Sequence, residues 1–296
     1  MSLTKPQIKA LTLLQIPIIT PAQIQIFVCT QIILFRPLQV SVFTSTQISA
    51  LKFEQIRSLI IEQVAAFTKI QILHLTEDQI QSLTPIQIRS FNVKQIPYFT
   101  FFQIQSFMPW QIQSLTKDQI SVFTEVQIQA LTSIQIQSFW SWQIQSLTPI
   151  QIRSLLPIQI ASFLPSRVSK FIEIQIVSFT KEQIQSFTKE QVVSLTSLQI
   201  LALTPDQIVS FLPLQIQVFI PEQIPYFTKE QIQELTMEQI QSLIAQQIQA
   251  FTKDQIPYFT DMQIQWFRTD QRKFFKVIRI PIINKLKTSS LIIKEN

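Results

Sequence analysis

The chain has 296 residues and no glycine, where average usage would supply roughly 21. That removes every function built on a glycine-rich phosphate loop, a dinucleotide fingerprint or a nucleophile elbow. One histidine and one cysteine make no metal cluster or disulfide framework, and the formal charge is +6.

An internal repeat organises almost everything else. Glutamine stands at Gln7, Gln15, Gln23 and every eighth residue to Gln271, with Arg167 the one exception among 34 positions. The next residue, from Ile8 to Ile264, is Ile 29 times and Val four times. Three residues further, from Leu11 to Phe267, stands Phe 19 times, Leu 13 times and Ile once. No insertion breaks the phase. Ile and Phe/Leu are three apart, so strand alternation would put them on opposite faces. A continuous α-helix fails as well, because two turns per octad means 4.0 residues per turn and the seam would rotate away. The chain must break once per octad.

Thr followed three residues later by Gln, as in Thr180 and Gln183, is a capping-box pattern, with the preceding Phe or Leu and the following Ile as a hydrophobic staple. Ten prolines, among them Pro21, Pro85, Pro149 and Pro205, fall at the first helical position, where a missing N–H costs nothing. Acids such as Glu182, Glu190 and Asp206 fall next, at the positive end of the helix. Each octad is therefore a helix start. Such pieces are too short to fold alone, so the expected fold is all-α: a solenoid of very short helices, one per octad, with three to five octads in each turn. Pro17, Pro97, Pro225 and Pro257, each just after the Ile, favour 3₁₀-like segments. On this reading the recurrent Gln is a structural joint rather than a ligand site, and His74 and Cys29 are passengers. Each helix is stopped by the next one's N-cap, so the junctions should have negative φ without glycine.

In chain order, Lys5 and Lys9 precede an uncharged stretch over residues 10–35. It mimics a signal peptide, but the octad phase begins at Gln7 and no small-residue cleavage site follows. The glutamines and prolines also argue against a membrane span. Localisation is left between cytoplasm and a secreted effector without a recognisable signal peptide. In the middle third, the residue before Gln is mostly apolar (Phe102, Trp110, Val126, Ile134, Trp142, Ile150, Ile158), whereas from Glu182 onward acids dominate. Phe101, Phe102, Trp110, Trp140 and Trp142 are the candidate protein-binding residues if this position faces outward. Packing between coils is the alternative.

The array, residues 1–267, balances 16 basic against 16 acidic residues, while residues 268–296 carry eight basic and two acidic. A neutral array is a poor partner for nucleic acid. In the tail Arg272, Lys273, Phe274, Phe275 and Lys276 interleave charge with apolar surface. A cap over the last coil is the favoured reading, and contact with an anionic membrane surface is the other.

The segment Leu203–Thr204–Pro205–Asp206–Gln207–Ile208–Val209–Ser210 resembles the opening of the first helix in TAL-effector DNA-binding repeats, over one helix start only. Across nearly its whole length, with motifs such as Leu83–Thr84–Pro85–Ile86–Gln87–Ile88, the chain resembles octapeptide-repeat proteins of intracellular bacteria. That resemblance implies a repeat architecture and no particular activity. The expected function is a non-enzymatic scaffold presenting a protein-interaction surface, with no catalytic residues, cofactor or metal. Self-assembly by end-to-end stacking and peripheral membrane association through the tail are the alternatives.

Overall fold

The computed structural model describes residues 3–275. Among them, 30 short α-helices and four 3₁₀ turns succeed one another without a strand. By internal contacts the chain divides into two compact units, Met1–Leu155 and Leu156–Asn296. Both obey the same local rules.

One octad illustrates why the chain turns where it does. Thr84 is extended (φ −76°, ψ 161°) and precedes the helix Pro85–Ser90. The Thr84 amide donates to Gln87 Oε1 at 2.9 Å, and the Gln87 amide donates to Thr84 Oγ1 at 3.3 Å. Two of the donors left over at a helix N-terminus are thereby satisfied. After six residues the chain leaves through Phe91 (φ −63°, ψ 126°), whose amide still reaches the Ile88 carbonyl. Phe91 is thus the end of one helix and the residue before the next cap. The residues flanking the helices keep negative φ throughout, from −105° at His74 to −56° at Leu11. None of these flanking residues is left-handed, so the described helix junctions need no glycine.

The four 3₁₀ turns, Ile16–Ile18, Ile96–Tyr98, Ile224–Tyr226 and Ile256–Tyr258, are the four octads with proline after the Ile. Pro97 has no N–H to give to the fourth residue back, so the segment closes with an i to i−3 bond from Tyr98 to Gln95.

In the first unit, helices three octads apart pack together: Phe101–Ser106 lies against Glu125–Ala130, which lies against Pro149–Ser154. Hydrogen bonds from the glutamines reach four octads back. Gln87 Nε2 donates to the carbonyls of Ile56 (2.9 Å) and Leu59 (2.7 Å). Each coil therefore holds between three and four octads. In the second unit, Lys181–Gln185 packs on Pro205–Ser210, and Gln231 Nε2 donates to Ile200 (2.8 Å) and Leu203 (2.6 Å). The core of each unit is the column of Ile and Phe/Leu side chains. Successive phenylalanines meet edge to face, as in Phe91–Phe99–Phe107 at 5.0 and 5.3 Å and Phe163–Phe171–Phe179 at 5.2 Å each, the arrangement the ring quadrupole prefers.

Candidate interaction surfaces

The recurrent glutamine does more than cap its own helix. Its carbonyl oxygen takes the N-cap amide, while its Nε2 donates to two carbonyls at the C-terminal end of a helix one coil earlier. Gln135 is representative: it accepts from Thr132 N at 2.9 Å and donates to Ile104 O at 2.8 Å and Phe107 O at 2.7 Å. Phe107 O is an acceptor of the kind a helix C-terminus leaves over, and Ile104 O, which also accepts from Phe107 N, takes Gln135 as a second donor. One buried side chain closes both ends. Where the N-cap is not Thr the glutamine bond persists, as from Ile60 N to Gln63 Oε1 at 2.9 Å. Threonine is thus the dispensable member of the pair. The sequence suggested a joint within the octad; the inter-coil half follows only from the coil size, which the period alone does not state.

With Gln and Ile turned inward, the residue before Gln is turned outward. Phe102 is 76% exposed, Ile134 67% and Trp110 41%. The candidate residues Phe101, Phe102, Trp110, Trp140 and Trp142 all lie at helix starts of the first unit. Phe101 is half-buried, the other four are exposed, and Phe101 meets Phe102 edge to face at 5.6 Å. They do not share one row. Helices stack at intervals of three octads, so Phe102 lines up with Val126 and Ile150, and Trp142 with Asp118. Trp110 belongs to the row built by the helices Pro37–Val40, Ile61–Ala65, Pro85–Ser90, Pro109–Ser114 and Ser133–Ser138, each packed on the next. At the position before Gln that row reads Leu38, Glu62, Ile86, Trp110 and Ile134, all exposed, and Ile61 stands exposed beside Glu62. Reading along the sequence missed it because neighbours in the row are 24 residues apart. The signal was available as a period of three octads.

Charge separates the units. Residues 1–155 hold ten Lys/Arg against six Asp/Glu, and residues 156–267 hold six against ten. The overall neutrality of the array conceals two opposite excesses. In the second unit Glu182, Glu190 and Glu230 have their carboxyls held below the usual range, first by their own backbone amides and then by the hydroxyls of Thr180, Thr188 and Thr228. These are solvated helix-start carboxylates, stabilised where the helix dipole favours them. Asp270 is lowered chiefly by a hydrogen bond from Arg268, with which it forms an ion pair at 3.2 Å.

The remaining candidates fall into local roles. His74 closes a helix, with Nδ1 2.8 Å from Ile70 O and its carbonyl accepting from Ser49 Oγ at 2.8 Å. Cys29 is half-buried, its thiol 3.4 Å from the Glu54 carbonyl. No group of three metal-ligating side chains lies close together among the described residues, and no described helix is long and apolar enough to cross a membrane. In the last described helix, Thr269–Phe275, Arg272 stands where an octad would place Ile. It is half-buried, donating to Phe267 O at 2.8 Å and Gln265 O at 2.7 Å. Its guanidinium thus covers carbonyls at the end of the preceding helix. Lys273 sits over the ring of Phe274 at 5.3 Å. Phe275 ends the helix, and Lys276 with the rest of the tail lies outside the described residues. No protein-family model matches the chain, and no curated protein sequence is similar to it.

Proposed function

We propose that the chain is a non-enzymatic repeat scaffold whose first unit presents an apolar surface to a protein partner. The observation that carries this reading is the row Leu38, Ile61, Ile86, Trp110 and Ile134, exposed on five successively packed helices. An apolar row of this length is the kind of surface that marks an interaction site, and Trp is the residue type most enriched at binding hot spots. The ionisable side chains support the non-enzymatic part. Acids occur mainly as exposed helix-start charges, and His74 is engaged by its own helix end. Kinship with the octapeptide-repeat proteins of intracellular bacteria belongs to the same proposal and rests on the eight-residue period.

The test compares two sets of substitutions. Ile86→Ser, Trp110→Ala and Ile134→Ser together disrupt the row, whereas Trp140→Ala and Trp142→Ala alter a neighbouring one. Partners recovered from a cell lysate by the wild-type chain should be lost by the first variant and kept by the second, each with an unchanged circular dichroism spectrum. Retention of all partners by the first variant defeats the assignment.

A further inference from the structure

Arg167 is the one member of the glutamine series that is not glutamine. The octad glutamine acts in two ways, its Oε1 accepting the cap amide of its own helix and its Nε2 donating to the coil before. An arginine can keep the donor half of that role and cannot keep the acceptor half, because a guanidinium carries five N–H donors and no acceptor. At each other octad from Thr4 to Arg268 the cap amide donates to a glutamine oxygen. The octads on either side do so with apolar N-caps, Leu156 to Gln159 at 2.7 Å and Ile172 to Gln175 at 3.0 Å. Leu164, between them, has neither a hydroxyl of its own nor that oxygen.

The same unit holds a matched octad with the glutamine in place. Leu164–Phe171 and Leu212–Phe219 each combine a leucine N-cap, a proline at the first helical position and a helix of four residues, Pro165–Val168 and Pro213–Ile216. Their N-caps are extended alike, at φ −61°, ψ 142° and φ −68°, ψ 149°, and both helices run out into a residue of helical conformation, Ser169 and Gln217. Each buries one aliphatic and one aromatic side chain, Val168 with Phe171 and Ile216 with Phe219. Leu212 N donates to Gln215 Oε1 at 2.8 Å. The Leu164 cap lacks the bond that its counterpart has.

We infer that the octad Leu164–Phe171 is a built-in point of local opening, where the second unit yields before its matched octad does. Repeat arrays open in parts, so one weaker helix start decides where. The three successive N-caps Leu156, Leu164 and Ile172 already do without the Thr hydroxyl, and only the middle one also does without the carboxamide. Opening there uncovers the middle ring of the Phe163–Phe171–Phe179 column, apolar surface that the closed array keeps buried. The inference rests on the chemistry of one side chain and is independent of the outward row of the first unit.

The test is amide hydrogen exchange on the full chain, with each rate divided by that of the unstructured sequence, which reads the opening of each octad. Protection over Val168–Phe171 should be about fivefold lower than over Ile216–Phe219, the size of one lost capping bond. Arg167→Gln should raise it to the level of the matched octad, and Gln215→Arg should lower protection over Ile216–Phe219 by a similar factor. Arg167→Met removes the charge and supplies no oxygen, so it should bring no gain. Equal protection of the two octads in the wild-type chain overturns the inference. So does an Arg167→Gln variant whose protection is unchanged or lower, because the guanidinium would then hold the joint at least as tightly as a carboxamide. A gain from Arg167→Met as large as that from Arg167→Gln overturns it as well, since the cause would be the charge and not the missing acceptor.

Discussion

The first three octads and the interior octads of the same unit share one motif and differ in one circumstance. In both, Thr and Gln exchange the cap bonds: Thr12 N to Gln15 Oε1 is 2.9 Å, and so is Thr132 N to Gln135 Oε1. Among the described residues only the interior octad has a coil before it, and there Gln135 is buried and bonded onward to Ile104 and Phe107. The cap is local and forms wherever the motif occurs. The joint between coils is tertiary and needs a neighbour. The difference separates what eight residues do alone from what the stack adds.

Loss of an interior glutamine should cost far more than loss of one in the first coil. Gln135→Ala removes the cap acceptor and strands the buried Phe107 carbonyl, while Ile104 O loses one of its two donors and keeps the bond from Phe107 N. At about 1–3 kcal/mol for the stranded carbonyl and about 1 kcal/mol for the cap, local opening should become easier by about 2–4 kcal/mol. Gln15→Ala removes only an exposed cap bond and should cost about 0.5–1 kcal/mol. Amide hydrogen exchange around each site is the proper measurement, since repeat arrays open in parts rather than all at once. Equal costs at the two sites would mean that the inter-coil bonds contribute nothing beyond the cap.

A smaller effect sharpens the local half. Thr132→Val removes the hydroxyl that accepts from Gln135 N at 3.3 Å and leaves every bond of the Gln135 carboxamide in place. The cost should be about 1 kcal/mol, within the range for losing an N-cap side chain. The chain already makes this exchange at Val28 and Ile60, where the glutamine bonds to the N-cap amide survive at 3.1 and 2.9 Å. A loss as large as that of Gln135→Ala would show that the hydroxyl, not the carboxamide, holds the joint.

The fold was legible because each octad states its own boundaries. Thr before proline or an acid, Gln three places on and Ile after it place a helix start. The four prolines after Ile mark where the helix tightens to 3₁₀. Glycine's absence pointed to junctions of negative φ, which the chain uses throughout. Two features were not legible. The second partner of each glutamine lies 28 to 31 residues away, a distance set by how many octads complete a coil, and nothing within eight residues states that number. For the same reason the aromatic residues from Phe101 to Trp142 read as one stripe, whereas stacking distributes them over three rows and joins Trp110 to Leu38, Ile61, Ile86 and Ile134. Charge hid a third feature, because equal totals over residues 1–267 mask an excess of basic residues before Leu155 and of acidic ones after it.

The smallest effect concerns that acidic side. Glu182, Glu190 and Glu230 are fully exposed, so solvent and salt screen their interactions, yet each carboxyl is drawn below its usual range by its own amide and by a Thr hydroxyl. A carboxyl whose folded pKa is depressed contributes stability that is complete above its unfolded pKa, near 4.3, and lost as the pH falls through the lower folded value. The thermal midpoint should therefore decline on acidification below about pH 4.3. The decline should be shallower when Glu182→Gln, Glu190→Gln and Glu230→Gln are combined, with little change at neutral pH. Glutamine at this position keeps the side chain's length and, as Gln246 shows at the start of Ala245–Ala250, is already accepted by the octad. The isolated caps of the first unit, such as Thr12–Gln15, carry no acid at this position and should be indifferent to the same titration. An acid slope identical in wild type and triple variant would mean that the helix-start carboxylates are held no more tightly in the folded chain than in the unfolded one.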